Sequence, residues 1–128
     1  MIKQYLTSIA AFVVLDGIWL GIITPKFYRT HIGHLMSPQA DFKAAIFFYV
    51  LFLIGLNVFV ITPQRDRSIL NVAKYGALFG LITYATFDLT SVAVFRDFPY
   101  LVAGVDMIWG ATLCAAISVI TVWMTRAK

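Results

Sequence analysis

The sequence predicts an all-α polytopic membrane protein. We expect a four-transmembrane-helix bundle with a short interfacial segment between helices 1 and 2, forming one integral membrane domain over residues 1–128. Three observations predict it. Of the 128 residues, 61% are hydrophobic and 12% charged, whereas soluble domains run near ~45–50% and ~25%. The mean hydropathy is +0.87. The apolar runs are also continuous over ~20 residues, the length that crosses a hydrocarbon core as a helix. A membrane barrel would show alternating segments of about ten residues instead.

The net charge of +4 does not point to nucleic acid. The basic residues fall in the connections and at the ends, where they meet anionic headgroups and set topology. The expected partners are membrane lipids and a small-molecule or lipid-like ligand, and a homo-oligomer is compatible with the chain. Cys114 is the one cysteine, so there is no internal disulfide and no thiolate metal site.

The first span is expected from about Gln4 to Thr24. Lys3 followed by an apolar run resembles a signal peptide. Asp16 interrupts that run, however, and no small-x-small cleavage site follows, so residues 4–24 read as a retained span. A polar connection runs from Thr24 to Asp41. Thr24-Pro25, Ser37-Pro38 and Thr62-Pro63 each set a hydroxyl before proline, the pattern of an N-cap followed by the first helical position. Thr24-Pro25 therefore predicts a separate short helix, with Phe27, His31 and Leu35 on one face lying along the interface. Gly33 is expected to end or weaken it.

The second span is expected from about Pro38 to Ile61, followed by a basic connection, Thr62 to Asn71. The third runs from about Val72 to Phe95, a tight turn follows at Arg96-Asp97-Phe98-Pro99, and the fourth runs from about Pro99 to Met124. Gly17 and Gly21 in the first span, and Gly76 and Gly80 in the third, form small-xxx-small pairs that let helix backbones approach closely. The third-span row continues through Tyr84 to Asp88. Lys3, Arg65, Arg67, Lys74, Arg126 and Lys128 fall on one side, and Lys26, Arg29, Lys43 and Arg96 on the other. Six against four favours both termini in the cytoplasm, a small bias that a dual-topology protein would show as well.

Three aspartates lie inside these spans: Asp16, Asp88 and Asp106. A carboxylate in hydrocarbon costs at least a few kcal/mol, so such residues usually face a bundle interior and mark function. Counted from the expected helix ends, each sits about 10–12 Å from the outer end, so all three can meet in one layer. Asp16-Gly17-Ile18-Trp19 and Asp106-Met107-Ile108-Trp109 repeat the pattern Asp-x-Ile-Trp, each pairing its acid and indole on one face. Tyr84 and Ser91 flank Asp88 at i−4 and i+3 and can hydrogen-bond a carboxyl. Asn57 is deep in the second span but nearer the inner side, outside the layer.

Three neighbouring carboxyls in a low dielectric cannot all ionise, and they would titrate as one coupled unit. A proton-linked carrier needs such a unit, and so does a cation site. His31 and His34 share a helix face above the layer and, with the acids, offer metal ligands of a type that zinc, iron and manganese all accept. The plain alternatives are that the acids hold helices in register through tryptophan and tyrosine donors, and that the histidines are interfacial polar residues. The leading expectation is proton- or cation-linked binding or transport of a small or lipid-like molecule. The rivals are a metal-dependent membrane enzyme acting on lipid, and an accessory subunit. The residues specify no cofactor.

The strings Leu-Asp-Gly-Ile-Trp-Leu-Gly at 15–21, Thr-Phe-Asp-Leu-Thr at 86–90 and Val-Asp-Met-Ile-Trp-Gly at 105–110, with the size and the four spans, resemble a bacterial family of small predicted membrane proteins described as a domain of unknown function. The resemblance covers essentially the whole chain. It implies a multi-pass protein of the bacterial inner membrane and carries no activity or catalytic residue with it.

Overall fold

The structure, a computed structural model, describes residues 2–39 and 41–126. Met1, Ala40, Ala127 and Lys128 lie outside the described residues, and with Lys128 so does one of the charges counted for topology. Four helices are long and apolar enough to cross a membrane: α1 (Ile2–Leu35), α2 (Phe42–Gln64), α3 (Ile69–Val94) and α4 (Tyr100–Thr125). No strand occurs among the described residues.

α1 is the main departure from expectation. It does not stop at Thr24 but continues through Thr24-Pro25 as one helix of 34 residues. Residues Trp19–Tyr28 adopt the wider π form, closing with the Arg29 N–H on the Thr24 carbonyl. In an α-helix Pro25 would leave the Gly21 carbonyl without its donor and drive its ring against that group. Bonds spanning five residues relieve the clash. The expected interfacial helix is therefore the far end of α1. Tyr28 is its buried residue; Phe27, His31, Ile32 and Met36 are half-buried beside it, and Leu35 is exposed. A short tight turn at Gly33–Leu35 ends it.

The other two proline signals also miss. Thr62-Pro63 lies within α2, after a second π stretch at Asn57–Ile61 whose last bond joins the Thr62 N–H to the Asn57 carbonyl. Ser37-Pro38 lies in the connection. Asp41 caps α2 instead, its carboxylate accepting from the Lys43 and Ala44 N–H groups at 3.1 and 3.2 Å. A short side chain with a free acceptor suits that position.

α3 and α4 form the closest pair. At Gly80 a Cβ would overlap the Gly110 backbone, and at Gly76 it would come within 2.9 Å of the Cys114 carbonyl and Ser118 Oγ. The glycine row thus lies against another helix, as its spacing predicts. Gly17 and Gly21 do not: nothing lies within 4 Å of a Cβ built on either, and both are exposed. α1 meets α4 through Asp16 and Trp19 instead, and their large partner rings hold the two backbones apart.

Near the end that carries both termini, a polar network ties α1, α2 and α4 together. Gln4 Nε2 donates to Asn57 Oδ1 and Thr62 Oγ1, both at 2.9 Å. Asn57 Nδ2 donates to Ser8 Oγ at 3.1 Å and to the Leu53 carbonyl at 2.8 Å. The Arg65 guanidinium bonds Gln4 Oε1 and reaches the Thr125 carbonyl at 3.0 Å and Thr125 Oγ1 at 3.1 Å. Above the network, Phe12, Phe52, Leu56, Leu113 and Ile117 form a dry core.

α2 is held mainly at this end, where Asn57–Ile61 meets α1, α3 and α4; its far half stands off from α3. That divergence opens the cavity described next.

Candidate functional site

A cavity of about 540 Å³ lies in the far half of the bundle, within the ~300–1,000 Å³ range of ligand pockets. Each helix contributes to it for a local reason. α1 supplies Asp16 just before the π stretch, Trp19 and Tyr28 at its two ends, and Met36 beyond it. α2 supplies Phe48 and Tyr49 from the half that splays. α3 supplies Thr83, Tyr84 and Phe87, and α4 supplies Asp106. Phe48 and Phe87, each about half exposed, stand at the gap between α2 and α3.

All three aspartates face the bundle interior. Asp16 is 7% exposed and Asp88 0%, and Asp106 is half-buried on the cavity wall. Asp106 is the common neighbour: its carboxyl interacts with Asp16 on one side and Asp88 on the other. Asp16 and Asp106 each have an aromatic donor. Trp109 Nε1–H donates to Asp16 Oδ1 at 3.3 Å, and Tyr28 O–H donates to Asp106 Oδ1 at 2.7 Å.

The two Asp-x-Ile-Trp segments interlock. Trp109 of the second serves Asp16 of the first, and Trp19 stacks flat on Trp109, centroids 4.3 Å apart and planes 6° from parallel. Trp19 in turn meets the Tyr28 ring edge-on at 6.1 Å. Helix register through donors thus accounts for Asp16 and Asp106. It does not account for Asp88, whose two carboxyl oxygens are buried without any hydrogen-bond partner.

Tyr84 and Ser91 do not serve Asp88 as their spacing predicts. The Tyr84 ring lies over Gly110, in the space a Cβ there would need, and faces the cavity. Ser91 is buried one turn away, and no hydrogen bond from it reaches the carboxyl. The glycine surface captures the ring, because an aromatic face on bare backbone gains dispersion that no lipid contact matches.

The histidines stay apart from the acids. His31 Nδ1 is 2.8 Å from the Phe27 carbonyl, with its ring against Phe27. His34 is exposed and lies 3.6 Å from Asp97 of the α3–α4 turn. Among the described residues, no three His, Cys, Asp or Glu side chains converge closely enough to hold a metal ion. Asn57 belongs to the terminal network, outside the acidic layer.

Spacing did not reveal Tyr28. It lies nine residues after Trp19, which is about 180° away around an α-helix; only the π form turns both rings to one side. Phe48, Tyr49 and Phe87 also went unread, since aromatic residues in a span read equally well as lipid-facing.

The chain belongs to the family described as "Predicted membrane protein (DUF2177)", whose model matches residues 1–123. No curated protein and no solved structure matches it.

Proposed function

We propose that this membrane protein binds a lipid-like or other small amphipathic molecule in the lateral cavity. Binding is linked to proton or cation occupancy of Asp16, Asp88 and Asp106. The observation that supports this reading is the buried Asp88 carboxyl, which accepts from no donor and lies behind Asp106, itself a wall residue of the cavity. Helix pairing alone gives no reason to keep a third acid there, since an unsatisfied buried polar group costs about 1–3 kcal/mol. In a bacterial inner membrane with both termini cytoplasmic, the cavity lies in the outer half of the bilayer.

Carriage across the membrane would need a second opening. The dry core and the terminal network stand between the cavity and the other side, so one-sided binding is the primary act. Metal-dependent catalysis is the weaker reading, because the ligand groups do not converge.

Tryptophan emission tests this. The chain has three tryptophans; Trp123 is exposed on the outer face of α4, and Trp123→Phe leaves the stacked pair as reporter. In nanodiscs of acyl-brominated phosphatidylcholine, Trp19 and Trp109 should be quenched, because heavy-atom quenching requires near contact. The emission should also vary with pH through Asp16, which accepts from Trp109, and through Asp88, with Tyr28, Tyr49 and Tyr84 the other titratable groups near them. Asp16→Asn with Asp88→Asn should abolish that variation while the fold persists. An unquenched pair, or a pH response unchanged by the two substitutions, would overturn the proposal.

A further inference from the structure

We infer that the cavity selects an amphipathic organic cation, an alkylammonium drawn sideways from the bilayer, over neutral or anionic amphiphiles. The inference rests on the binding role proposed above and specifies its ligand. Four features of the cavity lead to it.

The first is charge. Among the described residues, no Lys, Arg or His lines the cavity, whereas Asp16 and Asp106 do. An anionic headgroup would be desolvated against carboxyls with no donor cation to meet it. A phospholipid carries an ammonium too, but its phosphate would follow that group into the same acidic end.

The second is the wall. Trp19, Tyr28, Tyr49 and Tyr84 surround the acidic end. Aromatic faces attract a desolvated cation by about 0.5–2 kcal/mol each, whereas a hydroxyl headgroup gains little from them.

The third is size. A bare metal or sodium ion would fill a small part of ~540 Å³ and leave the aromatic walls without a partner. An alkylammonium sets its small head at the acidic end and fills the rest of the chamber with its alkyl chain, whose end can pass between Phe48 and Phe87.

The fourth is Asp88. Its carboxyl is fully buried against Asp106 and accepts from no donor. Trp109 N–H and Tyr28 O–H are the donors that reach the layer, so Asp88 and Asp106 can sit side by side only with a proton shared between them or a positive charge beside them. A cation entering beside Asp106 from the cavity replaces that proton.

Three chain-matched probes separate the possibilities: decylammonium, decanol and decanoate, each titrated at neutral pH into Trp123→Phe protein in phosphatidylcholine nanodiscs, with Trp19–Trp109 emission followed. Decylammonium should saturate the signal at a concentration about tenfold or more below decanol, as one or two cation–aromatic contacts would produce. Decanoate should give no saturable change. Asp16→Asn with Asp106→Asn should erase the preference and keep the decanol response. Decanol matching decylammonium, or decanoate binding, would overturn the cation inference and leave the binding role standing. A lack of saturable response to any of the three would remove the binding role itself. The probe comparison on otherwise native protein decides the question even if the double variant does not fold.

Discussion

Two polar layers lie inside this bundle, and they are built from different chemistry. Near the termini, Gln4, Ser8, Asn57, Thr62, Arg65 and Thr125 close on one another. Toward the far end, Asp16, Asp88 and Asp106 share two donors and leave one carboxyl bare. Amides and hydroxyls both give and accept hydrogen bonds, so a few of them can complete a network without help. Carboxylates only accept, so a cluster of them stays incomplete until a proton, a cation or a ligand joins it. The first layer is a clasp that fixes α2. The second leaves acceptors without donors, and the binding role proposed above rests on that difference.

The contrast can be broken at the α3–α4 seam, where Gly110 lies one turn from Asp106. Gly80→Leu forces α3 from the Gly110 backbone and should cost about 3 kcal/mol or more. Leu81→Ala, at a position 39% exposed, should cost about 1 kcal/mol or less. Thermal unfolding in detergent measures both, and equal melting temperatures would contradict the packing described here.

The contrast is sharpened by one change in each layer. Asn57→Leu strips partners from Gln4 and Ser8 and should cost about 2 kcal/mol. Asp88→Asn brings two N–H donors to a site crowded with acceptors, so the melting temperature should hold or rise. If Asp88→Asn lost as much stability as Asn57→Leu, the two layers would be alike in kind. The smallest effect is expected at the surface: His34→Ala removes an exposed 3.6 Å pairing with Asp97, worth less than about 0.5 kcal/mol, and the melting temperature should barely move.

Four spans, the Gly76–Gly80 seam and the inward aim of the acids were legible because each follows from hydropathy or from α-helical spacing. The interlocked Asp-x-Ile-Trp segments were visible as a repeat, though not as cross-partners. The terminal network escaped because Gln4, Ser8 and Thr62 are ordinary residues at span ends, and only the fold brings them to Asn57. Two of the three proline signals misled for one reason. A hydroxyl before proline does mark helix starts in water, where a broken helix can bond solvent. In hydrocarbon a helix gains by continuing, and at Pro25 and Pro63 the chain remains helical beside π turns. Tyr28 was lost with the same assumption, because its face depends on that change of pitch.

The wide turns between Trp19 and Tyr28 also determine which genetic changes the chain can absorb. A single-codon deletion there would leave composition, charge and hydropathy almost untouched. If the backbone drew back to the tighter α pitch after the loss, the larger rotation of each remaining residue would offset the missing one, and Tyr28 would stay near its present face. An added residue has no such compensation: with the wide turns kept, everything beyond it would turn by about a quarter of a circle, and Tyr28 would leave Asp106. The stretch therefore tolerates a shortening better than a lengthening.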